Sequence, residues 1–167
     1  MKLQDELGLQ APFQDMRHET VLNLVRTATL LSARATQLFR RFDLTEAQFN
    51  VLFALKFSTG RITQAELGKR LVVTRASITS VLDKLEAKRL VKRIDVPENR
   101  RIHHVELTES GRRLVDQVEP PYRKEVHEVL GDLGDVECRA VIGLMERVRE
   151  RARAMLARNG HESDGAA

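Results

Sequence analysis

Residues 63–108 read TQAELGKRLVVTRASITSVLDKLEAKRLVKRIDVPENRRIHHVELT, and most of the architecture follows from this stretch. Thr63 and Glu66 have the spacing of a capping box, in which a hydroxyl and a carboxylate bind the free amides of a first helical turn. A helix is therefore predicted to begin at Thr63, and Thr74 offers a cap for a second one. The second helix carries apolar residues at i, i+3, i+4 and i+7, which must form a buried face: Ile78, Val81, Leu82 and Leu85.

The opposite face of the second helix is small and polar. Small hydroxyl residues with an arginine near a helix N-terminus suit entry into a DNA major groove, where donors reach base edges and phosphates. The alternative is a solvated face, but such a face normally favours Glu, Lys and Gln over these poor helix formers. The predicted contacts are Arg75, Ala76, Ser77, Thr79, Ser80 and Lys84, together with Thr74, which caps the helix and can reach a phosphate.

A hairpin with a basic tip is predicted next. Residues 90–95 and 102–107 partly alternate apolar and polar side chains, and the turn-rich segment 96–101 separates them. A helix pair followed by such a hairpin is a winged helix-turn-helix, in which arginines at the tip can enter a minor groove. The alternative is a hairpin whose arginines only keep a strand edge in solution. The predicted fold class is mostly α with a small β-hairpin wing and terminal dimerisation helices.

The basic charge is concentrated in this region. The chain has 28 Lys and Arg against 24 Asp and Glu, a net of +4, yet the segment from Arg61 to Arg101 holds 11 basic and 5 acidic residues, a net of +6. The remainder is therefore −2. Because neutralising phosphates releases counterions and supplies most non-specific affinity for DNA, a localised excess indicates a DNA-binding lobe.

The chain resembles the MarR family of bacterial transcriptional regulators in four segments: LTEAQFNVLFAL (44–55), TQAELGKRL (63–71), VTRASITSVLDKLEAKRLVKR (73–93) and PENRRIHHVELTESG (97–111). The resemblance covers most of the chain. Its most specific parts are VTRASIT with the LDKLE that follows, and the wing that runs into LTESG.

The resemblance implies a recognition helix over 74–88 and a wing tip over 99–101. Family members commonly have Asp-x-Arg at this tip, where the Asp supports an arginine in the minor groove, but this chain has Asn99-Arg100-Arg101. Arg101 stands at the matching arginine and is the expected wing contact, with Arg100 as a second candidate, for phosphate. Arg89-Leu90 stands where many relatives have glycine, so a left-handed backbone at the helix end would be costly.

Length and composition predict a soluble, cytoplasmic protein with one domain. The 167 residues allow one moderate core. No window reaches the roughly 18 apolar residues of a membrane span, and the N-terminus lacks the apolar run of a signal peptide. The single cysteine, Cys138, excludes an intrachain disulfide and is expected to be structural or incidental, since nearby Asp135 and Glu137 would oppose thiolate formation.

Long helices with apolar stripes are predicted near both ends of the chain. They carry more apolar surface than a small winged lobe can cover, which indicates a second copy, and the family resemblance also implies a homodimer. A two-fold dimer would present two recognition helices to a palindromic site. We predict one domain over 1–167, made of a dimerisation helix (15–43), a winged helix-turn-helix lobe (44–108), connecting and dimerisation helices (109–158) and a disordered tail (159–167).

A bend is predicted between the wing and the last helix. Thr108 should cap a helix, and Pro120-Pro121 should kink or break it, because proline lacks a donor and clashes with the preceding turn. The helix would restart at Pro121 and run to Leu130, before a segment with two glycines. Such a bend is either a hinge or a curve that wraps the helix around its partner.

The sequence predicts no catalytic site, metal or cofactor. It has no Gly-rich phosphate loop, nucleophile elbow or paired-histidine metal motif. His103 and His104 are adjacent, but neighbours on a strand point to opposite faces and could not easily share a metal. We therefore expect a protein without enzymatic activity.

The family resemblance also implies a small aromatic or phenolic effector in a crevice between the dimer helices and the winged lobe. The candidates to line it are Met16, His18, Arg26, Phe53 and Phe57, each with an equally good explanation in packing or solvation. The predicted function is a homodimeric repressor that leaves a palindromic operator when its effector binds. The alternatives are a protein-interaction adaptor without an operator and a DNA binder without an effector.

Overall fold

The computed structural model describes residues 2–71, 75–96 and 99–164, and only the backbone of residues 75–77, 96, 99–102 and 159–164. The chain divides into two compact units, residues 1–123 and 124–167. The elements of the described part are helices and one small sheet, in the order α1 (Leu3–Glu6), α2 (Met16–Arg40), α3 (Glu46–Lys56), β1 (Ile62–Thr63), α4 (Gln64–Arg70), α5 (Arg75–Ala87), β2 (Val91–Val96), β3 (Asn99–Leu107), α6 (Glu109–Val129) and α7 (Asp135–Asp164).

Helix α2 occupies the predicted N-terminal helical region. Asp15 caps it, because its carboxylate accepts a hydrogen bond from the backbone N of Arg17 at 2.8 Å. The short helix α1 was not predicted. It buries Leu3, and Glu6 of α1 pairs with Arg26 of α2 at 3.0 Å.

Capping boxes start the first two helices of the winged lobe. Thr45 and Gln48 form one at α3, and Thr63 and Glu66 form the predicted one at α4. In each box the hydroxyl accepts from the N3 amide, and the N3 side chain accepts from the backbone N of the cap. The predicted helix start at Thr63 is thus confirmed.

The hairpin is part of a three-stranded antiparallel sheet with the order β1-β3-β2. The pairing of β2 with β3 runs from Val91↔Leu107 to Val96↔Asn99, with an irregularity after Asp95. The predicted strand bounds are therefore wrong in three places: β2 covers 91–96 instead of 90–95, and β3 begins at Asn99 instead of Ile102. Ladder bonds join backbone groups, so they extend into Asn-Arg-Arg, where no apolar alternation marks a strand.

The core of the first unit lies where α2, α3, α5, the sheet and α6 meet. Phe39 of α2 stacks on Phe49 of α3 with ring centroids 4.2 Å apart, and Tyr122 of α6 lies 5.1 Å from Phe49. The buried apolar cluster consists of Leu38, Phe39, Leu44, Phe49, Val51, Leu52, Leu55, Ile62, Leu67, Ile78, Leu82, Leu85, Leu90, Val91, Val105, Val115 and Val118.

Helix α6 continues through Pro120 and Pro121, so the predicted break with a restart at Pro121 is wrong. The two prolines remove the donors that would reach the carbonyls of Asp116 and Gln117. Both of these residues are exposed, so water can hydrate the carbonyls. The helix ends at Val129, before the predicted glycine-containing segment.

Helix α7 makes up most of the second unit and reaches Asp164, so it includes six of the nine residues predicted as a disordered tail (159–167). The sequence there contains Gly160 but no proline, and one glycine costs a helix only about 1 kcal/mol. Cys138 lies in the first turn of α7 and is partly buried. No helix among residues 2–71, 75–96 and 99–164 is both long and apolar enough to span a bilayer.

Candidate nucleic-acid interface

Helix α5 has one buried face and one exposed face, as the sequence predicts. Ile78, Leu82 and Leu85 are buried in the core. Thr79, Ser80, Asp83 and Lys84 are exposed. The exposed face therefore carries hydroxyl, carboxylate and ammonium groups within about two turns of helix.

The remaining predicted contacts can be placed only in part. Thr74 lies outside the described residues. Arg75, Ala76 and Ser77 form the first turn of α5, and Arg100 and Arg101 belong to β3, but the structure describes only their backbone. The described side chains around α5 and the hairpin hold these two elements in place.

The first half of α5 contacts the helix before it. The amide nitrogen Nε2 of Gln64, at the start of α4, donates to the hydroxyl of Thr79 at 2.8 Å. Thr79 thus has a role in joining the two helices of the helix-turn-helix, beside the DNA contact predicted for it.

The C-terminal end of α5 is closed by a Schellman motif. Arg89 has φ 56°, and its N donates to Glu86 O at 2.8 Å while Leu90 N donates to Leu85 O at 2.9 Å. Leu85 and Leu90 are both buried, which provides the apolar contact typical of this motif. The helix therefore ends in the left-handed conformation that glycine usually adopts, with an arginine in that position.

The start of α6 binds the end of α5. The hydroxyls of Thr108 and Ser110 lie 2.7 Å and 2.8 Å from Arg89 O, and Thr108 N donates to Leu90 O at 3.1 Å. Thr108 also caps α6, because its hydroxyl accepts from Gly111 N at 3.0 Å. Gly111 allows this approach: a Cβ at that position would lie 2.0 Å from Leu90 O.

Arg93 of β2 joins the hairpin to α5. Its guanidinium donates to Glu86 Oε2 at 2.6 Å and to Asp83 Oδ1 at 2.7 Å, and its backbone N donates to Glu86 Oε1 at 3.1 Å. Burial lowers the pKa of Arg93, but the hydrogen bonds to Asp83 and Glu86 outweigh it, so the pKa lies above its ordinary value.

Lys88 fixes the same end of α5 to the loop between α2 and α3. Its Nζ donates to the backbone O of Asp43 and lies 2.8 Å from Asp43 Oδ2. Asp43 has φ 53°, a left-handed conformation that Asp tolerates better than most residues.

The carboxylates of the winged lobe are engaged by neighbouring donors in the described part of the chain. Glu66 accepts from Thr63, Asp83 and Glu86 from Arg93, and Asp95 from His103 at 2.9 Å. The pKa of Glu66 is lowered by hydrogen bonds from the backbone and the hydroxyl of Thr63. Lys69, Lys84 and Arg89 are exposed, so these three positive charges of the lobe face solvent.

The structure does not bring the five effector candidates together within one chain. Phe53 and Phe57 have ring centroids 4.7 Å apart, and Phe53 belongs to the aromatic cluster around Phe49 and Phe39. At 1.5 Å rise per residue, Met16 lies roughly 35 Å along α2 from Phe39. His18 and Arg26 also lie in the first half of α2, where Phe13 packs edge-on against His18 and Glu6 binds Arg26.

Known proteins match both the sequence and the fold. The sequence model described as "MarR family" matches residues 42–102. The HTH-type transcriptional regulator MhqR of Bacillus subtilis is 30% identical over 65% of this chain and 74% of its own length. The chain belongs to the MarR family. The HTH-type transcriptional repressor NicR of Pseudomonas putida is 37% identical over 64% of this MarR-family chain and 66% of its own length.

A solved structure extends the match to almost a whole relative. BpsR of Bordetella bronchiseptica is 28% identical and superposes with a TM-score of 0.65, over 78% of this MarR-family protein and 98% of that chain. The winged helix-turn-helix fold predicted from the sequence is confirmed, and the protein is a DNA-binding transcriptional regulator of this family.

Sequence reasoning did not assign roles to several residues that hold this interface of the MarR-family protein together: Gln64, Asp83, Glu86, Arg93, Ser110 and Gly111. One signal was available for two of them. Asp83 and Glu86 are three residues apart on one helix, and such a pair shares a face that a following arginine can bind. Apart from Gly111 itself, nothing in the sequence indicated that α6 would lie so close to Leu90.

Proposed function

We propose that this MarR-family protein is a homodimeric repressor of a palindromic operator and that a small aromatic acid releases it. The exposed polar face of α5, held at both ends by other elements, carries this proposal. Its residues Thr79, Ser80 and Lys84, with Thr74, Arg75, Ala76 and Ser77, are proposed to contact the major groove and its phosphates. Arg100 and Arg101 are proposed to contact the minor groove.

Unpartnered apolar surface supports the dimer. Large apolar side chains are exposed along α2 and α7, and a second copy would cover them by a two-fold interface. These side chains all lie in the predicted dimerisation helices (15–43 and 109–158), whereas residues 44–108 are proposed to form the winged lobe. The exposed residues are Met16, Val21, Val25, Leu30 and Leu31 of α2 and Val136, Val141, Ile142, Leu144, Val148, Met155 and Leu156 of α7.

The dimer is tested by placing a charge on the apolar face of α7. Val148→Arg should shift the protein from dimer to monomer in sedimentation and weaken DNA binding, because a lone arginine cannot be buried in an apolar interface. Glu150→Arg is the matched control, since two residues along a helix place it roughly 200° around the axis. Equal mass for both variants and the wild type would contradict this interface.

The effector proposal rests on one relative. The solved structure of BpsR concerns regulation of its DNA binding by 6-hydroxynicotinic acid. We propose that this chain responds to a compound of the same class, a small aromatic carboxylic acid. Phe53 and Phe57 are the candidates best placed to contact an aromatic ring, because Phe57 is 58% exposed beside the Phe53 ring.

The operator proposal is tested by selecting duplexes from a random library with the purified protein. The affinity of the selected duplexes is then measured at two salt concentrations and again with 6-hydroxynicotinic acid. A palindrome with half-sites about one helical turn apart, bound about 10³-fold tighter than scrambled DNA, is the expected result. An absence of any enriched motif would favour an adaptor, and a selected operator that no aromatic acid releases would favour a DNA binder without an effector of this class.

A further inference from the structure

Arg93 binds α5 through both its side chain and its main chain. In the sheet order β1-β3-β2, strand β2 pairs on one side only, so its other edge is open. The backbone N of Arg93 donates to Glu86 Oε1, and its guanidinium donates to Glu86 Oε2. One carboxylate of α5 therefore holds both the edge of β2 and the side chain that it carries.

A second carboxylate fixes the orientation of the same guanidinium. Asp83 Oδ1 lies 2.7 Å from Arg93 Nη2, and Asp83 and Glu86 share a face of α5 because they are three residues apart. The Arg93 side chain is 20% exposed, against 58% for Asp83 and 41% for Glu86. The planar fork of arginine can bind both acids at once, whereas the single ammonium of lysine cannot reproduce that geometry.

We propose that Arg93 is a positioning residue for DNA recognition: it fixes the direction of the β2–β3 hairpin relative to α5 and touches no DNA itself. This inference rests on the proposed operator binding. The hairpin carries Arg100 and Arg101 toward the minor groove while α5 enters the major groove. The angle between the two elements therefore decides whether one duplex can satisfy both.

Removing the two acidic partners of Arg93 tests the proposal, because a simple charge effect and a positioning role predict opposite changes in DNA affinity. Asp83 and Glu86 are negative charges on the helix that faces the DNA, so removing them would strengthen binding if charge alone mattered. If they hold the hairpin through Arg93, removing them must weaken binding. Asp83→Ala with Glu86→Ala is a suitable double variant, because alanine favours the helix and both sites are partly exposed.

The first measurement needs no DNA. Hydrogen exchange of the amides of residues 91–107 is compared for the wild type, Arg93→Met, Arg93→Lys and the double variant. All three variants should exchange at least about ten-fold faster in the hairpin, while the amides of α3 stay protected. Lys92→Met is the matched control. Like Arg93→Met, it removes one positive charge from β2. Lys92 lies 3.4 Å from Glu106 of the neighbouring strand, and hydrogen exchange of this variant should match the wild type.

The second measurement is affinity for the selected operator and for a shorter duplex that ends before the wing contacts. Arg93→Met and the double variant should bind the full operator about ten-fold more weakly and the short duplex with nearly wild-type affinity. Lys92→Met should change both duplexes by the same factor.

Two results would overturn the role of Arg93. One is tighter operator binding by the double variant, and the other is unchanged hairpin exchange in Arg93→Met. If the wild type selects no duplex at all, operator binding itself fails, and the exchange measurement alone then decides whether Arg93 holds the hairpin. Circular dichroism and denaturation of each variant distinguish loss of the Arg93 contacts from loss of the folded structure.

Discussion

Adding one methyl group at Gly111 should strongly destabilise the folded protein. In Gly111→Ala the new Cβ would lie 2.0 Å from Leu90 O, 2.9 Å from Leu90 C and 3.3 Å from Leu107 Cδ2. Two of these neighbours are backbone atoms, so no side chain can rotate away. To reach a tolerable separation of 3.0 Å, the start of α6 must move about 1 Å from the end of α5.

That movement also costs hydrogen bonds. Thr108 N lies 3.1 Å from Leu90 O, and the Thr108 hydroxyl lies 2.7 Å from Arg89 O, so both lengthen as α6 moves away. Overpacking of a rigid site costs roughly 1–3 kcal/mol, and each lost bond adds about 1 kcal/mol. We expect Gly111→Ala to lower the free energy of unfolding by about 3–5 kcal/mol, measured by urea denaturation at one fixed protein concentration.

Gly68→Ala is the matched control in the same lobe. Its Cβ would lie 3.5 Å from Ile78 Cγ2, an ordinary contact, and alanine within α4 should stabilise the protein by about 0.5–1 kcal/mol. If Gly111→Ala unfolds at the wild-type urea concentration with the wild-type slope, the close contact between Gly111 and Leu90 does not limit stability.

Three further changes test the junction of α5 with α6 and the ion pairs in the middle of α6. Thr108→Ala should cost about 1–2 kcal/mol of unfolding free energy because α6 loses its cap and the bond to Arg89 O, whereas Thr108→Ser should keep most of it; urea denaturation decides. Arg89→Gly should raise the unfolding temperature, because it relieves about 1 kcal/mol of strain at φ 56°. Hydrogen bonds from Lys56 and Arg123 lower the pKa of Glu119 below its ordinary 4.5, so the stability that they provide is present above that pH and is lost as pH falls through the lowered pKa; Glu119→Gln should flatten this acid dependence of unfolding.

Local chemistry made much of the fold predictable. The box at Thr63 and the cap at Thr108 depend on side chains only a few residues from the amides that they bind, so a short window of sequence contains the whole interaction. The buried face of α5 follows from helical periodicity for the same reason. The candidate interface could be recognised at the level of its helices and hairpin.

Long-range contacts explain what the sequence could not predict. Helix α6 continues through Pro120 and Pro121 because Val115, Val118 and Tyr122 pack on the core on both sides of the prolines, and packing of this kind outweighs local propensity. Strand β3 begins at Asn99 because β2 lies beside it, and the sequence of β3 alone carries no record of that partner. The positive charge of Arg93 is evident from the sequence, but its pairing with Asp83 and Glu86 arises only when the fold brings β2 against α5.

The proline pair also changes how α6 deforms. Elsewhere in a helix, bending stretches a bond on the outer side, and the energy rises with each ladder bond that is strained. At Pro120 and Pro121 two consecutive bonds are already missing, so curvature there strains fewer bonds. The resistance of α6 to bending at this point therefore comes from the packing of Val115, Val118 and Tyr122 on the core more than from its own hydrogen bonds.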